Sequence, residues 1–140
     1  MKIICSKQAI RKFRVECKKK FPVEHVGALF GSRTSEGDLL IERIEPITHE
    51  ATNGDVTIQD RHMYSSKRSA LRKETDWLGT IHSHCWTKEI ECCWHLSSVD
   101  IESALTWGEA ICGLVYVYEK GKKSTVHWYV PNPIPKVAYV

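Results

Sequence analysis

Trp77-Leu78-Gly79-Thr80-Ile81-His82-Ser83-His84 is an apolar run that closes on two histidines one residue apart. In a strand, residues i and i+2 point to the same face, so both imidazoles can reach one metal ion. Further on, Ser97-Ser98-Val99-Asp100 opens a segment that runs to Trp107. A serine cap and an early carboxylate favour a helix start there, at Ser97 or Ser98. A strand end and a helix start can therefore supply His82, His84 and Asp100 together. Taken singly, each has a plainer explanation, as a polar strand end or a helix cap. Three protein ligands are also what a catalytic zinc keeps, with a fourth position left for water, whose pKa falls from 15.7 toward about 7.

Such a site needs a group to collect the proton. Glu24 opens Val23-Glu24-His25-Val26-Gly27-Ala28-Leu29-Phe30-Gly31, an apolar strand preceded by Pro22. Desolvation at that entrance would raise a carboxyl pKa and suit it to proton transfer. The turn Ser35-Glu36-Gly37-Asp38 leads into a second strand, Leu39 to about Ile47, giving an antiparallel hairpin. Before it, a short strand at Lys2 to Cys5 precedes a helix from Lys7 to about Lys20. Ser6 caps that helix, Ala9, Ile10, Phe13 and Cys17 make its apolar stripe, and Pro22 stops it.

Residues 48–59 have weak periodicity, and Asn53-Gly54-Asp55 marks a turn or loop. From Asp60 to Glu74, Met63/Ala70 and Tyr64/Leu71 recur at seven residues and predict a second amphipathic helix that feeds the histidine strand. Beyond Trp107, Gly108 offers a stop, and Ala110 to Tyr118 is continuous enough to be a buried central strand. Lys120-Gly121 turns the chain into a last strand, Lys123 to Val130, and the tail with Pro131, Pro133 and Pro135 is expected to run over the surface. Strand, helix, hairpin, helix, strand, helix and hairpin in that order describe an α/β sandwich of mixed sheet and helices.

The 140 residues fit one domain, 1–140, and 42% hydrophobic with 26% charged residues is ordinary for a globular protein. The longest apolar run, Ala110 to Val117, is far too short for a transmembrane helix, so no membrane association is expected. The N-terminus turns basic early and lacks the apolar core of a secretory signal, which makes a cytoplasmic location the default and free thiols the expectation for the six cysteines. Residues 1–20 hold eight Lys/Arg and one acid, a charge of +7, whereas the remainder holds twelve against sixteen, a charge of −4. A solvated helix face explains this more simply than a nucleic-acid or acidic-partner patch.

Glu24, His82-Ser83-His84 and Ser97-Ser98-Val99-Asp100 together resemble the signature of the JAMM (MPN-plus, JAB) zinc metalloproteases, an upstream Glu, then His-x-His, then Ser-x-x-Asp. The resemblance covers most of the chain, since the element order is also similar to that family's. It implies a single-domain, cytidine-deaminase-like (JAB/MPN) three-layer sandwich with a mixed β-sheet flanked by helices. It further implies that His82, His84 and Asp100 bind one catalytic zinc, that Glu24 is the general acid/base, and that Ser97 helps to stabilise the oxyanion. The implied activity is that of a metallopeptidase or isopeptidase, deubiquitinase-like, cutting an amide at the C-terminal tail of a ubiquitin-like protein. At this length the chain resembles the compact prokaryotic or phage members, so processing of a phage structural protein has the same chemistry with another substrate. A non-catalytic or nucleic-acid-associated interaction module of the same fold, with the basic N-terminal helix as its contact surface, is the reading from another class.

One stretch departs from the family. Twelve residues, Cys85 to Leu96, separate His84 from Ser97, where the usual spacer is shorter and opens with Pro. Trp86 and Trp94 could make this extended loop a substrate-contacting lid. Cys85, Cys92, Cys93 and His95 could hold a second, structural zinc, although their spacing is irregular, and a loop that packs its own Trp and Cys side chains is the plain reading. Cys85 beside His84 could suggest a cysteine nucleophile, but neighbours on a strand point to opposite faces.

Overall fold

Ser6 starts the first helix through its side chain. Its hydroxyl accepts the Ala9 N–H at 3.2 Å, and helix α1, Lys7–Lys20, turns Ile10, Phe13 and Cys17 inward. The computed structural model describes residues 2–52, 55–86, 98–130 and 136–140. Strand β1 is Lys2–Cys5, β2 is Val26–Arg33, β3 is Leu39–Pro46, β4 is Glu50–Thr52 and β5 is Asp55–Thr57. Helix α2, Asp60–Arg72, precedes β6, Asp76–Cys85, and helix α3, Ser98–Trp107, precedes β7, Ile111–Tyr118. Strands β8, Lys123–Tyr129, and β9, Lys136–Tyr139, follow.

Seven strands form one mixed sheet in the order β8-β7-β6-β2-β3-β1-β9. β6 runs parallel to β7, and β1 runs parallel to both β3 and β9, while the remaining pairs are antiparallel. One face packs against α1, where Ile10, Phe13 and Cys17 meet Leu29, Leu39, Ile81 and Val115. The other packs against α2, where Met63 and Ala70 meet Val26, Ala28 and Phe30. Each fully buried Leu, Ile or Phe contributes about 1.5–3 kcal/mol, so both helix layers are needed to cover this sheet. β7, between β6 and β8, is buried along its whole length, as its continuous apolar sequence predicts.

Two local expectations are corrected. β2 begins at Val26 rather than Val23, because side chains take up much of the backbone just before it: the His25 N–H donates to Ser83 Oγ at 2.8 Å, and the His49 ring sits 3.3 Å from the Glu24 carbonyl. Within residues 48–59, where weak periodicity placed no element, β4 and β5 pair as a small two-stranded antiparallel sheet, and Asn53 and Gly54 of the expected turn lie outside the described residues. Three-residue strands leave no periodicity to read. The tail also ends in a strand, and β9 joins the sheet edge beside β1. Pro131, Pro133 and Pro135, expected on the surface, lie outside the described residues. Trp128 Nε1 donates to Tyr139 Oη at 2.6 Å, which links edge strands β8 and β9 across the α1 side of a strongly curled sheet.

Gly79 is the position where β6 tolerates no side chain. Its φ is +155°, it lies where the β2/β6 register shifts, and a Cβ there would stand 1.9 Å from the Ile111 carbonyl oxygen. Gly79→Ala should cost about 2 kcal/mol or more, because β7 would have to move away. Thermal melting checks this, with a fall of about 4 °C or more expected.

Candidate metal centre

Strand alternation puts Thr80, His82 and His84 on the α2/α3 face of β6 and Ile81, Ser83 and Cys85 on the α1 face. The two histidine rings meet edge to face, with His82 Nε2 and His84 Nε2 3.0 Å apart. Asp100, in the first turn of α3, brings Oδ2 to 3.4 Å from His82 Nε2 and 3.5 Å from His84 Nε2. The helix start favours that carboxylate electrostatically. Among the described residues these three form the one group of His, Cys, Asp and Glu able to share a metal ion.

The donor set can be tested against zinc. Ligand atoms about 2.0–2.1 Å from a tetrahedral zinc lie about 3.3–3.4 Å from one another. The three separations bracket that edge length, and two imidazoles with one carboxylate are a donor set that zinc accepts. His82, His84 and Asp100 therefore fit the ion.

Glu24 lies in the segment just before β2. Val26 pairs with His82, and the Ser83 N–H donates to the His25 carbonyl at 2.9 Å, so the β2/β6 register continues past the end of the ladder. Alternation then puts Glu24 on the face that carries both histidines, and only 6% of it is exposed. Cys85 lies on the other face, where its thiol is 3.8 Å from the Val23 carbonyl. Burial, then the charge of Glu24, pushes that thiol up to about 11, which leaves no thiolate nucleophile near neutral pH.

His25 has a different part. It stacks on Phe13 with ring centroids 5.2 Å apart, and its Nδ1 is buried with no hydrogen-bond partner. Burial, then the charges of Lys20 and His49, lowers its pKa from 6.5 to about 4, against an opposing effect of Glu16. A folded-state pKa below the unfolded one means that the unfolded chain binds the extra proton between about pH 6.5 and 4. Stability is thus full above that window and declines as pH falls through it, by about 3 kcal/mol at most. Urea midpoints of metal-free protein at pH 7.5 and 4.5 should show this loss, and His25→Phe should reduce it.

Comparison with known proteins settles the family. A family model described as prokaryotic homologs of the JAB domain matches residues 6–131. The chain belongs to that family. The resemblance carried by Glu24, the histidine pair and Asp100 pointed there. No curated protein matches the chain. Among solved structures, the fold is similar to that of a protein from Desulfitobacterium hafniense, with a TM-score of 0.73 and 16% identity over 99% of this chain and 92% of the other. A JAB1/MPN domain protein from Archaeoglobus fulgidus gives 0.58 and 14% over 99% of both chains. A protein from Salinibacter ruber gives 0.60 and 19% over 96% of this chain and 91% of the other. At these identities the likeness is one of fold.

In this JAB-domain chain, Ser97 lies outside the described residues, as do Trp94, Cys92, Cys93 and His95, so both the oxyanion donor and the second zinc stand as expectations. Cys85 belongs to β6 rather than to the loop, and Trp86, 48% exposed, follows it with its N–H on the Val117 carbonyl at 2.9 Å. Cys5, Cys17, Cys85 and Cys112 are free thiols.

Two supports of the site escaped sequence reading. Lys67 of α2 donates to the Trp107 carbonyl at 2.6 Å and lies 4.6 Å from the Trp77 ring centroid and 5.5 Å from that of Trp107. One cation thus ties α3, and with it Asp100, to α2 and β6, and it sits at a helix C-terminus that carries no basic residue of its own. Glu109 follows α3 and accepts a hydrogen bond from Thr80 Oγ1. Burial raises its carboxyl pKa, while Thr80, His82 and Cys112 pull it back. Neither pair has a sequence signal, because lysine and glutamate at these spacings are ordinary surface residues.

Proposed function

We propose that the chain is a zinc-dependent peptidase or isopeptidase that hydrolyses an amide at the C-terminal tail of a ubiquitin-like protein or a similar protein substrate. The observation that carries this reading is the convergence of His82 Nε2, His84 Nε2 and Asp100 Oδ2 at tetrahedral edge spacing, on the sheet face that also holds buried Glu24. A bound zinc would supply Lewis acidity, activating a water and polarising the scissile carbonyl. Glu24 takes the proton from the attacking water and returns it to the leaving amine. Its low exposure keeps competing water from that carboxylate. The Ser97 hydroxyl, by family resemblance, donates to the developing oxyanion, a role worth about 3–4 kcal/mol in hydrolases.

Assay against a ubiquitin-like fusion, with and without a chelator, tests the reading. Cleavage that stops on chelation and returns with zinc is the expected result, and chelator-insensitive cleavage would exclude it. A phage structural precursor is the alternative substrate for the same chemistry. The interaction-module reading draws on one feature, a groove beside α1 lined by Lys7, Arg11, Arg14 and Lys18. Steeply salt-dependent DNA or RNA binding without hydrolysis would favour it. Among the described residues no helix is long and apolar enough to cross a membrane.

A further inference from the structure

Glu109 is placed with unusual firmness for a residue just beyond a helix. Its N–H donates to the Ala104 carbonyl at 2.9 Å, and the next N–H, that of Ala110, donates to the Leu78 carbonyl at 2.9 Å. The first contact fixes it to α3 and the second to β6, the two elements that carry the metal donors. Its side chain lies along β6, with Oε1 3.3 Å from where a Cβ on Gly79 would stand and with Thr80 Oγ1 donating to that oxygen. Thr80 shares its strand face with His82, two residues on.

A cavity of about 120 Å³ lies at this point, and its polar lining is Thr80, His82, Asp100, Ser103, Glu109 and Cys112. Glu109 and His82 therefore line one half-open pocket, whose apolar wall includes Val26, Met63 and Trp107. His82 turns Nε2 toward His84 and Asp100, which leaves Nδ1 as its second polar atom. Metal-bound histidines commonly donate that second N–H to a carboxylate, which fixes the tautomer and the ring plane. The cavity has room for a bridging water.

We propose that Glu109 is the positioning residue of the metal centre, its carboxylate receiving the His82 Nδ1–H directly or through one cavity water. The proposal rests on the reading that His82 ligates zinc through Nε2. Glu109 holds the ring so that Nε2 faces His84 and Asp100 before any ion arrives, and Thr80 holds Glu109. The chain thus builds a relay from the middle of β6 to its metal-binding end, with the Gly79 backbone leaving space for the carboxylate.

The test is zinc affinity of the full chain, measured by competition with a chromophoric chelator, with melting of the metal-free proteins recorded alongside. Glu109→Ala should weaken zinc binding about 10- to 100-fold. Glu109→Gln, whose amide oxygen still accepts a hydrogen bond, should recover most of that loss. Thr80→Val should give a smaller loss, since the carboxylate stays but its anchor goes. Zinc binding by Glu109→Ala within twofold of the unmodified chain would overturn the proposal. So would equal losses in the Ala and Gln variants accompanied by lower melting temperatures, the mark of a folding defect. His82→Ala separates the two levels: if it leaves zinc binding intact the ligand reading itself fails, whereas loss there with none in Glu109→Ala removes only the relay.

Discussion

Glu24→Ala should lower the hydrolysis rate about 10²- to 10⁴-fold while zinc affinity stays within about threefold of the unmodified chain. The separation follows from where Glu24 sits. It is on the face of the histidine pair but outside the trio of atoms that converge at 3.0–3.5 Å, so its removal takes away proton transfer and leaves the ligands in place. The rate loss corresponds to about 3–5 kcal/mol of transition-state stabilisation. Glu24→Gln keeps the shape of this nearly buried side chain and should be equally inactive, which separates the missing base from a packing defect. Turnover and chelator-competition measurements on both variants decide the matter, and undiminished turnover would place the base elsewhere.

The His82→Ala/His84→Ala double variant should lose its metal altogether, from about one zinc per chain to below about a tenth, and hydrolysis with it. Two of three ligands are gone, and one carboxylate cannot retain the ion. The fold should survive, because the core clusters on the two sheet faces are built from other side chains. Zinc should then raise the melting temperature of the unmodified chain and leave that of the double variant unchanged, since a ligand stabilises only the state that binds it. Metal analysis of the purified proteins gives the direct answer, and zinc persisting in the double variant would end the site assignment.

The sequence by itself determined the parts whose cause is local. Ser6 and the stripe Ile10, Phe13, Cys17 were enough for α1, continuous apolarity was enough for β7, and the i, i+2 spacing of His82 and His84 set them on one face whatever lay around them. Asp100 in a helix first turn followed from its serines. The family could be recognised for the same reason, since its motif is made of short local patterns. Tertiary structure decided everything that depends on which strands are neighbours. Glu24 shares a sheet face with the histidines because β2 pairs with β6 in a register that aligns Val26 with His82, and no spacing along the chain encodes that register. The β4/β5 pair and β9 exist because partners were available for strands too short to show a period. Lys67 and Glu109 became supports of the site only when α2, α3 and β6 came together, since a charge gains meaning from burial and from the group it faces, and both are properties of the packed chain.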